Sequence, residues 1–302
     1  MFIKIILSLI AAFIWGTSFV AQSLGADVLP PFAFNAARSF VAVIAIALIL
    51  LIFNKTKPFQ KEAEKQNGNI KKLIIGGICC GIPLTIAINL QQMGLGETDA
   101  GKAGFITALY IVLIPIFGLF LRRRTSFSTV ISVAIAVVGM YLLCIGSSFS
   151  IKTSELYLIV CAICFAIHIL VIDKFAPQTN CIALSLVQFA FAAIASTILS
   201  LIFESATLSG LIACSGQLVY VGVLSSGVAY TLQILALDGS DPTVVSLLFS
   251  LESVFSVIAG TIVLQEKMSR QEYLGCFLIL LAVMLSQIPA SVIKKLLHIK
   301  QK

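Results

Sequence analysis

Ten apolar stretches, each long enough or nearly long enough to cross a bilayer, run through this chain of 302 residues. They are Ile5–Leu24, Phe32–Phe53, Leu73–Met93, Ala103–Leu121, Phe127–Ile145, Leu156–Ile172, Ile182–Phe203, Ile212–Leu235, Thr243–Leu264 and Tyr273–Ile288. A span takes roughly 20 apolar residues, because each residue adds about 1.5 Å across a hydrocarbon core about 30 Å thick. A soluble domain carries about 25% charged residues. Here 11% are charged and 59% are apolar, with a mean hydropathy of +1.08. The expected fold class is all-α integral membrane, with ten transmembrane helices. The first stretch starts like a signal peptide, with Lys4 ahead of it, but its length is that of a full span.

The basic residues set the orientation. With the N-terminus in the cytoplasm, all lysines and arginines lie inside except Lys102, Lys152, Lys267 and Arg270, which lie outside, and Arg38, which lies within a span. The excess of inside charge predicts cytoplasmic termini at both ends of a multi-pass protein of the plasma membrane. The same arrangement explains the net charge of +7 without a nucleic-acid partner.

The chain divides into halves of five spans, residues 1–149 and 150–302. Trp15, Gly16, Thr17 and Ser18 align with Phe165, Ala166, Ile167 and His168; Asn35 aligns with Ser185 and Arg38 with Gln188. Further on, Ile114-Pro115-Ile116-Phe117 is expected to meet Glu252-Ser253-Val254-Phe255. Five is odd, so the second half enters the membrane upside down. Inverted repeats of this kind suit carriers that open alternately to each side, although some channels share them.

Among the charged residues only Arg38 and Glu252 fall inside spans. Each costs roughly 2.5–3.5 kcal/mol at mid-bilayer on insertion scales, so each needs a partner or a wet cavity. Arg38 lies ~9 Å from the outer end of its helix and Glu252 ~14 Å from the inner end of its own, depths that let them meet as charge partners. Glu252 either faces a central cavity, binding a cationic group or a coupling proton, or is the static partner of a serine, the backbone or Arg38.

Uncharged polar residues fall at helical spacing. Thr85, Asn89 and Gln92 share a face, as do Ser226, Tyr230 and Gln233, and Trp15, Ser18 and Gln22. His168 occupies the place matching Ser18, and Ser246, Ser250, Ser253 and Ser256 flank Glu252 over an arc of about 160°. Such stripes line a cavity or tie helices together. The asparagine, glutamines and histidine favour the cavity, the serines packing, and His168 is equally readable as structural. The candidate substrate-binding set is Trp15, Ser18, Gln22, Asn89, Gln92, Tyr110, His168, Ser226, Tyr230, Ser250 and Glu252, with Arg38 as charge partner. Gly77-Ile78-Cys79-Cys80-Gly81 is a GxxxG, read as close helix packing.

Catalytic motifs fail. Gly96-Glu97-Thr98-Asp99-Ala100-Gly101-Lys102-Ala103 nearly matches a phosphate-binding loop, but Ala103 stands where the magnesium-binding hydroxyl belongs, and no strand precedes it. With two histidines, one in the tail, no metalloprotease pair forms. Cys161 and Cys164 make a lone CxxC in apolar surroundings. No enzyme activity, cofactor or metal is expected, and transport would draw on ion or solute gradients.

These residues resemble the EamA-type ten-helix permeases of the drug/metabolite transporter superfamily. The resemblance rests on Ala12-Phe13-Ile14-Trp15-Gly16-Thr17-Ser18-Phe19, and on Arg38 after Pro31. It continues in Gly94-Leu95 with Thr98-Asp99-Ala100-Gly101-Lys102-Ala103-Gly104-Phe105-Ile106-Thr107, and in Pro115. The second half adds Leu251-Glu252-Ser253-Val254-Phe255, Gln265-Glu266-Lys267 and Gly275. Ser253 departs from a frequent family proline, so the resemblance carries no kink over to that helix. It implies an inverted-repeat bundle with a central cavity that moves small organic solutes, often outward. Family substrates include amino acids, drugs and, in related branches, nucleotide sugars and sugar phosphates. Arg38 alone is little charge for a phosphorylated substrate, which leaves an uncharged, zwitterionic or cationic one. The expectation is a secondary transporter exporting amino-acid-like or drug-like metabolites by alternating access. The alternatives are a channel-type facilitator and a non-transporting scaffold or sensor. Expected partners are the bilayer, a small-molecule substrate and, as an option, a second copy in a homodimer.

Overall fold

In a bilayer every backbone amide must be satisfied within the protein, which for a chain of this pattern means helices. The computed structural model describes residues 2–53, 70–121, 127–144, 152–265 and 269–286, and among them there are helices and turns but no strand. The first half comprises α1 (Phe2–Ala26), α2 (Pro31–Phe53), α3 (Ile70–Leu95), α4 (Ala100–Thr107), α5 (Tyr110–Phe120) and α6 (Phe127–Cys144). The second comprises α7 (Thr153–Phe175), α8 (Cys181–Phe203), α9 (Leu208–Ala213), α10 (Ser215–Val219), a π-helix (Tyr220–Ala229), α11 (Tyr230–Leu237), α12 (Pro242–Phe249), α13 (Leu251–Ala259), a π-helical turn (Gly260–Leu264) and α14 (Arg270–Ser286).

Eight helical stretches are long and apolar enough to cross a membrane. The expected fifth and tenth spans are also helical, but their apolar parts, Thr129–Gly139 and Tyr273–Leu285, are shorter. Ile145 and residues 287–302, which would extend them, lie outside the described residues, as do most of the basic residues expected in the cytoplasm.

The fourth and ninth segments are broken helices. α4 stops at Thr107 and α5 starts at Tyr110; α12 stops at Phe249 and α13 starts at Leu251. Both first pieces are 8 residues long and follow an aspartate at the N-cap, Asp99 and Asp241. Asp241 accepts from the Thr243 amide at 2.8 Å, with Pro242 in the first turn, which fixes where α12 begins. Matching breaks therefore align Ala100 with Pro242 and Tyr110 with Glu252. This corrects the alignment of Ile114 with Glu252 that sequence suggested. The ninth segment breaks without a proline: Ser250 donates its hydroxyl to the Leu247 carbonyl and Ser253 to the Ser250 carbonyl, each at 2.7 Å. The Ser250 hydroxyl thus satisfies the Leu247 carbonyl, and the Ser250 carbonyl accepts both the hydroxyl and, at 3.1 Å, the amide of Ser253.

Packing is symmetric under exchange of the halves. α3 lies against α8 as α2 lies against the π-helix, and α3 against α7 as α1 lies against α11 and the π-helix. α1 meets α13 as α7 meets α5 and α4 meets α13 as α12 meets α5, while the pairs α2 with α8 and α6 with α14 map onto themselves. The GxxxG works as expected of packing glycines: a Cβ on Gly77 would fall 2.3 Å from Val187 and one on Gly81 2.9 Å from Phe191, both on α8.

Candidate functional site

At the middle of the bundle the two breaks and the polar faces of α1, α2, α3, α7 and the π-helix enclose a cavity of about 30 Å³. Trp15, Ser18, Phe19, Gln22, Arg38, Gln91, Thr107, Tyr110, Phe165, Ile169, Ser225, Tyr230, Gln233 and Glu252 form its wall. None of these is more than 7% exposed, so the cavity is closed toward both ends of the bundle.

Glu252 reaches the wall because α1 and α13 touch backbone to backbone. A Cβ on Gly16 would sit 2.4 Å from the Phe255 Cβ and 2.7 Å from the Glu252 carbonyl. On the far side Ser256 donates to the Ala100 carbonyl at 2.7 Å, joining the two broken helices. Tyr110 and Glu252, at the starts of α5 and α13, are neighbours across the cavity. Neither the Tyr110 hydroxyl nor Oε1 of Glu252 has a hydrogen-bond partner of normal geometry.

Arg38, 1% exposed, donates from Nη1 to Gln22 Oε1 at 2.6 Å. Gln22 in turn donates to Ser18 Oγ at 3.3 Å, and Gln92 donates to the Gln22 carbonyl at 2.9 Å. Among the described residues no ion pair joins Arg38 to Glu252; in place of the charge partnership read from depth, Arg38 hydrogen-bonds the side-chain amide oxygen of Gln22. Arg38 Nε and Gln233 Oε1 are also buried without partners. One cavity thus holds an unsatisfied N–H, a hydroxyl and two acceptor oxygens. Leaving such groups unpaired costs about 1–3 kcal/mol each, which a bound solute or water would recover.

The apolar part of the wall is aromatic. Trp15 packs edge-on to Tyr230 at 4.9 Å and to Phe249 at 5.3 Å between ring centres, and its indole N–H donates to the Ser225 carbonyl at 3.3 Å.

Of the residues singled out from sequence, Trp15, Ser18, Gln22, Arg38, Tyr110, Tyr230 and Glu252 come together here. Five others do not join the wall. Asn89 bridges Asn35, the Thr85 carbonyl and Ser196 at 2.8–3.0 Å, tying α2, α3 and α8. Gln92 holds the Gln22 carbonyl, His168 bonds Gln188 at 3.0 Å, and Ser250 bonds its own helix. Ser226 is buried with its hydroxyl unpartnered. The physical reason for that last difference is the π-helix. Its bonds run from i to i+5, so Ser225 and Tyr230 share the cavity face, where α-helical spacing selects Ser226. Phe19, Gln91, Thr107, Phe165, Ile169 and Gln233 complete the wall beyond the sequence set. Of these, Gln233 shared a stripe with Tyr230, and Phe165 sat opposite Trp15 in the repeat.

The profile described as the EamA-like transporter family matches residues 2–145 and again residues 152–287. The chain belongs to that family. The two matches are its two repeats, and the EamA membership places it within the drug/metabolite transporter superfamily. Among relatives, a protein described as an uncharacterized transporter from Archaeoglobus fulgidus (strain ATCC 49558 / DSM 4304 / JCM 9628 / NBRC 100126 / VC-16) is 30% identical over 281 residues, covering 91% of this chain and 83% of that one. The uncharacterized transporter YoaV from Bacillus subtilis (strain 168) is 21% identical over 92% of this chain and 94% of its own. A solved crystal structure superposes with a TM-score of 0.77 at 17% identity, covering 96% of this chain and 98% of that one; this likeness shows the fold alone. Family, relatives and apolar helices together make this a multi-pass membrane protein with transporter homologues.

Proposed function

We propose that this EamA protein is a secondary transporter that moves a small zwitterionic or cationic organic solute across the plasma membrane by alternating access, in the outward direction. Ten helices span the bilayer in this reading, as inverted repeats covering 1–149 and 150–302, with both termini in the cytoplasm. The observation that carries it is the closed cavity with its unpaired polar atoms. A pore needs a continuous wet path, whereas a carrier passes through a state sealed at both ends. Glu252 Oε1 and Gln233 Oε1 await donors, as an ammonium offers, and Arg38 Nε awaits an acceptor, as a carboxylate or carbonyl offers. Aromatic faces beside a carboxylate suit an organic cation further.

The test is counterflow in liposomes loaded with candidate metabolites. Saturable exchange of amino-acid-like or amine solutes is the expected result. Conductance without counterflow would make the protein a channel, binding without either would make it a sensor, and preference for a phosphorylated sugar would overturn the substrate class.

A further inference from the structure

Two polar contacts bridge the repeats at opposite ends of the bundle. At the end where α3 leads into α4, Lys102 on α4 pairs with Glu155 in the first turn of α7 at 2.5 Å. Both side chains are partly buried, at 33% and 11% exposed. At the other end, the Lys4 ammonium near the start of α1 donates to the main-chain carbonyl of Asp238, in the turn between α11 and α12. The exchange of halves maps α1 onto α7, and α12 with the turn before it onto α4 with the turn before it, so these two contacts join corresponding pairs of segments.

Each contact lies just beyond the cavity wall. Lys102 is on the same short helix as Thr107, and Asp238 directly follows the helix that carries Tyr230 and Gln233. Lys4 also lines a second space of about 360 Å³, with Ile5, Ser240, Val245 and Leu248. Leu248 precedes Phe249, whose ring packs on Trp15 of the central cavity. That space and the central cavity are thus separated by the packing of Phe249 on Trp15.

We propose that Lys102–Glu155 and Lys4–Asp238 are the two latches that hold the cavity shut, and that each opens in turn. The proposal rests on the alternating-access reading. Its chemistry makes the latches unequal: removing either charge breaks the first, whereas only Lys4 can be removed from the second without altering the backbone.

The experiment places a reporter at Ser225→Cys in the full chain, with the 8 native cysteines replaced, and measures labelling by an impermeant maleimide from each face of sealed vesicles. Glu155→Gln and Lys102→Gln should each speed labelling from the outer face by roughly fivefold, the population shift that about 1 kcal/mol produces. Lys4→Met should do the same from the cytoplasmic face. The swap Lys102→Glu with Glu155→Lys should restore slow outer labelling, which separates a broken latch from a damaged fold. Unchanged rates in the single variants, or acceleration from the opposite face, would overturn the latches. Counterflow by the unaltered protein tests the underlying reading separately. Rapid labelling of the reporter with both latches intact from both faces would sink the transporter reading rather than the latch assignment alone.

Discussion

A carboxylate buried to 4% exposure without a cationic partner is costly, and its retention needs a reason. Glu252 is expected to bind the amine of the solute. Glu252→Gln should lower initial counterflow rates of a cationic or zwitterionic solute by about tenfold or more, the loss expected when a charge-assisted bond of roughly 1.5–3 kcal/mol becomes a neutral one. Rates and pH dependence equal to those of the unaltered protein would remove Glu252 from the site. Gln22→Leu should act on the opposite wall, freeing Arg38 Nη1, and is expected to destabilise the detergent-solubilised protein by about 1–3 kcal/mol, read as a lower midpoint of thermal unfolding. Trp15, Gln22, Arg38 and Glu252 were legible in sequence because lipid makes every buried polar atom expensive. Asn89 and His168 satisfy the same rule by bonding across helices, so polarity alone could not separate wall from tie.

Elements were legible where apolar length decides them and less so where hydrogen-bond pattern does. The spans of α1, α2, α3, α7 and α8 follow from hydropathy. The breaks at Ala108–Leu109 and at Ser250, and the π-helix Tyr220–Ala229, depend on which carbonyls find side-chain or i+5 donors, and apolar composition does not encode that choice. The seating of α13 against α1 has a sharper signature in Gly16, whose Cβ would collide with Phe255 Cβ at 2.4 Å. Gly16→Val should force the two helices apart and displace Glu252 with them. The expected outcome is a loss of about 1–3 kcal/mol in stability together with weakened solute binding. Retained stability and binding would mean that the contact is slack. At the start of α2, Glu204 receives the amides of Phe32 and Ala33 at 2.9 and 2.8 Å. A carboxylate from a distant loop thus caps the helix that carries Arg38, and its sequence position, far from Pro31, gave no hint of it.

At the scale of the whole molecule, the exchange symmetry of the packing combines with the odd number of spans per half in the proposed reading. Loops at equivalent places in the two halves must face opposite sides of the membrane. The turn after α3 contains Glu97, and the turn after α11, its equivalent, contains Ser240. In a cysteine-free background, Glu97→Cys should react with an impermeant maleimide from outside intact cells, whereas Ser240→Cys should react only after the membrane is opened. Both turns lead into a broken helix with an aspartate at its N-cap, so the local chemistry of the two sites is matched and the difference reports orientation. Labelling of both from the same side would make the halves parallel. The closed cavity would then lie between two units that cannot exchange roles, and alternate opening would lose its structural basis.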